Sequence, residues 1–288
     1  MGRMTQRASE ARAGDAVNVV EPQPAASVIL VRGAREAPAS LEAYIVRRQK
    51  SMRFLGGYYA FPGGKVDPED ASAAMLARLR GLDTQTASKT FASLNGVPAL
   101  AYWATAIREL LEECGILLAC DADGRRLDAC APAVADAIEH CRAELMAGAA
   151  PFAELLARRG WYADMRPLAY LSHFVTPRRS PIRFSARFFV CPAPPGQSPR
   201  LFTEETSEAF WVRPSEAYRR FLTGEMAMAE PAEYALAYLA QFRSIEELAA
   251  AGGDGVEKFH GIAHRIEPAW ERFDWKANRW PDSTFTRR

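Results

Sequence analysis

The stretch Arg108-Glu109-Leu110-Leu111-Glu112-Glu113-Cys114-Gly115-Ile116 constrains this chain more than any other. The run before it is helical in pattern, and Gly115 stands where a left-handed residue closes a helix, so the spacing predicts a helix over 99–114. Residues at i, i+3 and i+4 share one helical face. Glu109, Glu112 and Glu113 therefore project together, while Ile107, Leu110 and Leu111 can face a core. Like charges at this spacing destabilise a helix by a few tenths of a kcal/mol, and negative charge near a helix C-terminus opposes the macrodipole. A functional site is where such a violation is expected. A divalent cation resolves it, because hard Mg²⁺ or Mn²⁺ prefers oxygen ligands and substrate phosphates complete its shell. Taken alone, the helix is equally well read as a solvated acidic face.

A second segment shifts that balance. Phe61-Pro62-Gly63-Gly64-Lys65 is a tight turn after an aromatic, strand-like stretch, and two glycines let backbone come close to a metal or a phosphate. By itself it would read as a plain turn. Together the two segments resemble the Nudix box, G-x5-E-x7-R-E-U-x-E-E-x-G-U with U aliphatic. Gly64 is its first glycine, and Arg108 to Ile116 matches every specified position of its second half. The spacing departs from the pattern: 37 residues separate Asp70 from Arg108 where seven are usual, an excess of 30 with helical composition. That excess is expected to loop out as a small packed excursion. Asp70 stands where the family has Glu, one methylene shorter, and is expected to be structural or idle rather than catalytic.

An insertion at this place resembles one branch of the family, the peroxisomal coenzyme A diphosphatases and their bacterial relatives. The resemblance runs from Ala25 to Tyr238. It rests on the split box, Phe61 to Asp67, Phe174-Val175-Thr176-Pro177, Arg187-Phe188-Phe189 and Glu208 to Trp211. It implies an α+β Nudix fold, a mixed β-sheet sandwiched between helices (α/β/α), over 21–245. Helical insertions would fall at about 71–99 and 130–162, with a flexible tail at 1–20 and a C-terminal extension at 246–288. It also implies metal-dependent hydrolysis of a diphosphate linkage in a small nucleotide-diphosphate substrate, coenzyme A or an acyl-CoA first, with Mg²⁺ or Mn²⁺ as cofactor.

Residue by residue, Glu112 and Glu113 would hold the ions, and Glu109 would join them or act as general base. Arg108 would pair with a helix glutamate and orient it, and is counted with Glu109 and Glu112 in the catalytic set. The carbonyl of Gly64 or its neighbour would be a further ligand. Of the carboxylates before Trp211, Glu205 is preferred to Glu208 as the last one. Arg179 and Arg187, from the basic group Arg178, Arg179, Arg183 and Arg187, would grip substrate phosphates with Lys65. A broader diphosphatase acting on ADP-ribose or NADH is the alternative enzyme. A non-catalytic Nudix-fold binding or regulatory module is the alternative from another class, and the three intact glutamates stand against it. Homodimers are frequent in the superfamily, which makes a homodimer possible.

The rest of the chain narrows the class without naming it. The 36 basic and 35 acidic side chains nearly cancel, giving no electrostatic case for a nucleic-acid or membrane partner. No apolar run reaches 18 residues, and the start of the chain lacks the apolar core of a secretory signal. The last residues, Thr284 to Arg288, are not an SKL-type address, so a cytoplasmic protein is expected. The 5 cysteines form no CxxC pair and are expected to be reduced. No GxGxxG opens a helix after the first strand, which argues against a dinucleotide-binding fold.

Strands are expected at 25–32, 42–49, 167–174, 182–191 and 208–212, the first two as a hairpin. Helices are expected within 67–96 and 132–159, and at 214–222 and 232–251. No secondary structure is assigned beyond Gly252. His173 could line a pocket, although a core or surface role is the commoner one for a lone histidine. Tyr58, Tyr59, Trp103 and Phe210 could stack a base or fill a core.

Overall fold

The apolar run AASVILV, continuous rather than alternating, belongs to a strand buried on both faces. A computed structural model of the chain describes residues 20–34, 40–91, 96–178, 180–203 and 205–251. In chain order it has β1 (Gln23–Gly33), β2 (Leu41–Arg48), β3 (Tyr59–Ala60), β4 (Gly63–Lys65), α1 (Ala73–Ala77), β5 (Leu79–Arg80), α2 (Thr84–Thr90), α3 (Ala99–Cys114) and β6 (Ala119–Cys120). There follow α4 (Pro132–Met146), α5 (Phe152–Arg158), β7 (Tyr162–Asp164), β8 (Ala169–Val175), β9 (Phe184–Pro192), β10 (Thr206–Val212), α6 (Pro214–Leu222), α7 (Glu230–Leu239) and α8 (Ile245–Ala250).

The main sheet runs β10-β2-β1-β9-β8, with β3 added to β2 and β4 to β1. β1 and β9 pair in parallel and the other ladders are antiparallel, so the sheet is mixed. β1 and β2 pair as expected, Val31 opposite Ala43. Side chains alternate across β1. Ala26, Val28 and Leu30 enter one core with Ile107, Leu110 and Leu111 of α3, while Ile29 and Val31 enter a second core with α6 and α7. The two cores make the α/β/α sandwich that the resemblance implied.

The expected helix over 99–114 forms with those bounds. Pro98 precedes it and Gly115 closes it at φ 69°. Three expectations are corrected in detail. The segment between Asp70 and Arg108 is not wholly helical: a 3₁₀ turn at Pro68–Ala71, α1 and α2 flank the short strand β5. The block at 132–159 divides into α4 and α5, because Gly148 takes φ 64° and Pro151 follows. The helix expected over 232–251 ends at Leu239, and α8 restarts under a Ser244 cap that accepts from the Glu247 N–H.

A three-stranded sheet, β5-β7-β6, was not anticipated at all. It ties the excursion to the chain after α3. All five cysteines are free thiols. No helix among the described residues is long and apolar enough to cross a membrane. The tail beyond Gly252 lies outside the described residues.

Candidate active site

α3 presents its carboxylates to the Gly63–Gly64 turn because Ile107, Leu110 and Leu111 are fully buried beneath the sheet. Burying each such side chain contributes on the order of 1.5–3 kcal/mol, enough to fix the rotation of the helix. β4 holds the turn against β1, pairing Gly64 with Ala26 and Lys65 with Ala25. Gly63 has φ 152°, and a Cβ there would stand 2.3 Å from the Ala26 carbonyl oxygen. At Gly64 a Cβ would stand 2.2 Å from the Glu109 carboxylate. Gly63 is thus demanded by the close approach of the turn to β1, and Gly64 keeps the space that the Glu109 carboxylate occupies.

Arg108 is the clamp. Its Nε donates to Asp70 Oδ1 at 2.9 Å and its Nη2 to Asp70 Oδ2 at 2.9 Å. Nη1 donates to Glu109 Oε1 at 3.0 Å and Glu112 Oε2 at 2.9 Å, and Nη2 also reaches the Lys65 carbonyl at 2.9 Å. Asp70 is 1% exposed and takes further hydrogen bonds from Thr105 Oγ1 at 2.8 Å and the Asp67 N–H at 3.0 Å. Asp70 is therefore structural. It anchors the arginine that orients two of the glutamates and belongs to the link between turn and helix. Arg108 itself sits behind the carboxylates and is absent from the lining of the cavity they face.

That cavity has a volume of about 500 Å³. Glu109, Glu112, Glu113, Gly64, Lys65 and Glu205 all line it. Glu113 Oε2 accepts from the Gly63 N–H at 3.0 Å. Glu208 is engaged elsewhere, accepting from the Tyr59 hydroxyl at 2.8 Å with Arg47 at 3.8 Å, which leaves Glu205 as the carboxylate of its pair on the cavity. Arg187 is not brought to the site. Ala186 and Phe188 of β9 face the cavity, so Arg187 points to the opposite face, where its guanidinium lies 4.4 Å from the Phe91 ring. His173 shares that face, bonded to Ser185 Oγ at 2.7 Å. Arg179 lies outside the described residues. Tyr58 and Tyr59 line the cavity, whereas Trp103 is core on the other side of the sheet.

Two cations at the site were missed by sequence reasoning. Arg48, the last residue of β2, lines the cavity and its charge acts on Glu113. Arg142 of α4 also lines it and donates from Nε to the Glu112 carbonyl at 2.8 Å, satisfying an end carbonyl of α3. Arg142 stands 30 residues along the chain from Glu112, and no local pattern announces the contact.

The carboxylates carry the signature of close, buried like charges. Burial pushes Glu109 up to about 7, opposed by Arg108 and aided by Glu112. Burial and then Glu109 push Glu113 up to about 8, against the Gly63 N–H. Glu112 is raised as well, by burial ahead of its attraction to Arg108, with Asp70 and Glu205 adding to the rise. Arg108 loses to burial and gains more from Asp70, Glu109 and Glu112, so it stays charged.

These donors suit a divalent ion: all are oxygen, they raise one another's proton affinity, and Gly64 leaves backbone in van der Waals reach of Glu109. Among the described residues, no three His, Cys, Asp or Glu side chains already stand at metal-ligand spacing. Glu109 and Glu112 are drawn to Arg108, and Glu113 to the turn.

A pH dependence follows from the metal-free carboxylates. Their folded pKa values lie above the unfolded ones, so the native state binds more protons and its stability falls as pH rises from about 4.5 through about 8. The Tm in EDTA should fall by several degrees between pH 5.5 and 8.5. Mn²⁺ should raise Tm more at pH 8.5 than at 5.5. A Tm that climbs with pH and ignores the cation would contradict this electrostatic picture.

Comparison with known proteins follows the same lines. Residues 23–239 match the NUDT19 Nudix domain family. An acyl-coenzyme A diphosphatase NUDT19 of Gallus gallus is 30% identical, covering 78% of this chain and 69% of that protein. Its Homo sapiens counterpart is 28% identical over 78% and 70% of the two chains. A crystal structure of a NUDIX hydrolase from Alicyclobacillus acidocaldarius superimposes with TM-score 0.66 at 30% identity, covering 81% of this chain and 97% of the other.

Proposed function

The chain belongs to the Nudix hydrolases, within the NUDT19 Nudix domain family, and from that premise we propose that this enzyme cleaves the diphosphate linkage of coenzyme A and its acyl thioesters with Mg²⁺ or Mn²⁺. The observation that carries the reading is the set of three intact glutamates on α3, facing the Gly63–Gly64 turn in one cavity with Glu205, Lys65 and Arg48. The name shared by the Gallus gallus and Homo sapiens relatives supports the substrate class. The intact carboxylates favour an enzyme over a binding module, which would not need them.

Glu112, Glu113, Glu205 and the Gly64 carbonyl are the groups to hold the metal, and Glu109 is left to act as the base. When bound, the cation neutralises diphosphate oxygens and lowers the pKa of a coordinated water. The protein's own residues do the rest. Arg108, fixed by Asp70, keeps Glu109 and Glu112 from swinging away from the substrate. Glu109, held by Arg108 on the cavity, takes the proton of the attacking water. The water oxygen bonds to one phosphorus. The bond from that phosphorus to the bridging oxygen breaks, and the other phosphate leaves with the oxygen and the bonding pair. Lys65 and Arg48 stand on the cavity to offset the charge of the phosphates.

The test is product identity. With coenzyme A and Mn²⁺, mass spectrometry should find adenosine 3′,5′-bisphosphate and 4′-phosphopantetheine. Turnover of ADP-ribose or NADH to AMP with coenzyme A untouched would replace this reading by the broader diphosphatase. No cleavage of any diphosphate by folded, metal-loaded protein would leave a binding module.

A further inference from the structure

Three glutamates crowd the final turns of α3, beside end carbonyls that carry the negative pole of the helix. The N–H groups of Gly115 and Ile116 donate to the Leu111 and Leu110 carbonyls at 3.0 and 3.1 Å, and the Arg200 N–H to that of Cys114 at 3.0 Å. The Glu112 carbonyl is taken by a side chain from another helix, Arg142 Nε of α4, at 2.8 Å. We infer that Arg142 is a positioning residue for the metal, fixing the last turn of α3 and the backbone around Glu205 in one arrangement. The inference rests on the metal-holding role proposed above for Glu112, Glu113 and Glu205, and adds the residue that sets them relative to one another.

Two observations carry it. The first is that the bond from Arg142 goes to the backbone of a metal-holding residue. A helix-end carbonyl without a donor lets its turn fray, and the Glu112 and Glu113 side chains would move with that turn. The second is the stack on Phe202. The Arg142 guanidinium lies 3.2 Å from the centre of that ring, three residues before Glu205. The Phe202 carbonyl accepts from Thr206 Oγ1, and the Glu205 carbonyl accepts from the Gln49 N–H at 2.8 Å, so ring and carboxylate share one braced stretch of chain. The ring also covers the end of α3, where a Cβ on Gly115 would meet it at 3.4 Å. Arg142, Phe202, Glu112, Glu113 and Glu205 all line the one cavity. A guanidinium serves here because its edge donates while its flat face stacks, which an ammonium group cannot do.

Charge and position predict opposite signs. Arg142 is a cation beside the carboxylates that hold a cation, so by Coulomb's law alone its removal should tighten Mn²⁺ binding. Acting by position, its removal weakens binding. Two neutral replacements of matched reach separate the hydrogen bond from the charge. Glutamine Nε2 stands as many bonds from the backbone as arginine Nε and can donate to the Glu112 carbonyl, whereas methionine has no donor to offer.

The experiment measures Mn²⁺ binding to the full chain by electron paramagnetic resonance of the free ion, with Tm in EDTA alongside. Binding should weaken about tenfold in Arg142→Met and stay within about threefold of the unaltered chain in Arg142→Gln, with Tm little changed in either. At saturating Mn²⁺ the kcat of Arg142→Met should recover to within about threefold, with KM for the diphosphate substrate unchanged. Should Arg142→Met fail to fold, Phe202→Leu keeps the hydrogen bond, removes the stack and should weaken Mn²⁺ binding about threefold.

An Arg142→Met protein that binds Mn²⁺ as tightly as the unaltered chain, or more tightly, would overturn the inference in favour of charge alone. Equal weakening in the methionine and glutamine variants would overturn it too, because the donor would then be irrelevant. A KM raised about tenfold with Mn²⁺ binding unchanged would make Arg142 a phosphate contact instead. All three outcomes leave the metal-holding glutamates standing. If Glu112→Gln also binds Mn²⁺ like the unaltered chain, the metal reading itself falls and takes the inference with it.

Discussion

Replacing Glu112 with glutamine lowers kcat for diphosphate hydrolysis about a thousandfold, roughly 4 kcal/mol of barrier, while leaving the fold standing. Glu112 is suited to this test. It lies on the cavity, its side chain is 24% exposed, and it gives Arg108 a single oxygen at 2.9 Å. Glutamine preserves the shape and an oxygen for Arg108 but removes the charge that a divalent ion requires. Thermal unfolding of the variant in EDTA should stay within a few degrees of the unaltered chain. A variant that keeps more than a tenth of the activity would remove Glu112 from the metal set.

The second large effect is on stability. Asp70→Ala takes away both oxygens that Arg108 grips, together with the acceptor for Thr105 and for the Asp67 N–H. The Arg108 side chain is only 11% exposed. Breaking one partner out of a buried ion pair costs about 3–5 kcal/mol, and at roughly 2–4 °C per kcal/mol for a chain somewhat smaller than this one, Tm should drop by about 10 °C. Glu109 and Glu112 still hold Nη1, which keeps the loss below that of a bare buried charge. A shift under 2 °C would show that the clamp contributes little, and that the link between the Gly63–Gly64 turn and α3 lies in the backbone pairing of β4.

Much of this site could be read from the linear sequence because its signals are local. Gly115 ends α3, the three glutamates share a face by helical arithmetic, and Gly63–Gly64 precede them as a turn. Asp70, one methylene shorter than the family's glutamate, could be set aside as structural or idle, and its bonds to Arg108 and Thr105 decide for structural. The failures have physical causes too. β9 is buried on both faces, which hides the parity that sends Phe188 to the cavity and Arg187 to the opposite core. β5, β6 and β7 have two or three residues each, too few to display an alternation. Arg142 reaches α3 from another helix, a contact made by tertiary packing. The Ser244-to-Glu247 spacing did hold a signal for the restart of α8, of the kind that marks a capped N-terminus.

The most direct test of the proposal that α3 holds the metal is equilibrium binding of Mn²⁺ at pH 8, followed by electron paramagnetic resonance of the free ion. The unaltered chain should bind Mn²⁺ saturably, and Glu112→Gln or Glu113→Gln should each weaken binding by roughly tenfold or more. Equal binding by all three proteins would mean that the ion does not sit on α3, and the assignment of the active site would fall with it.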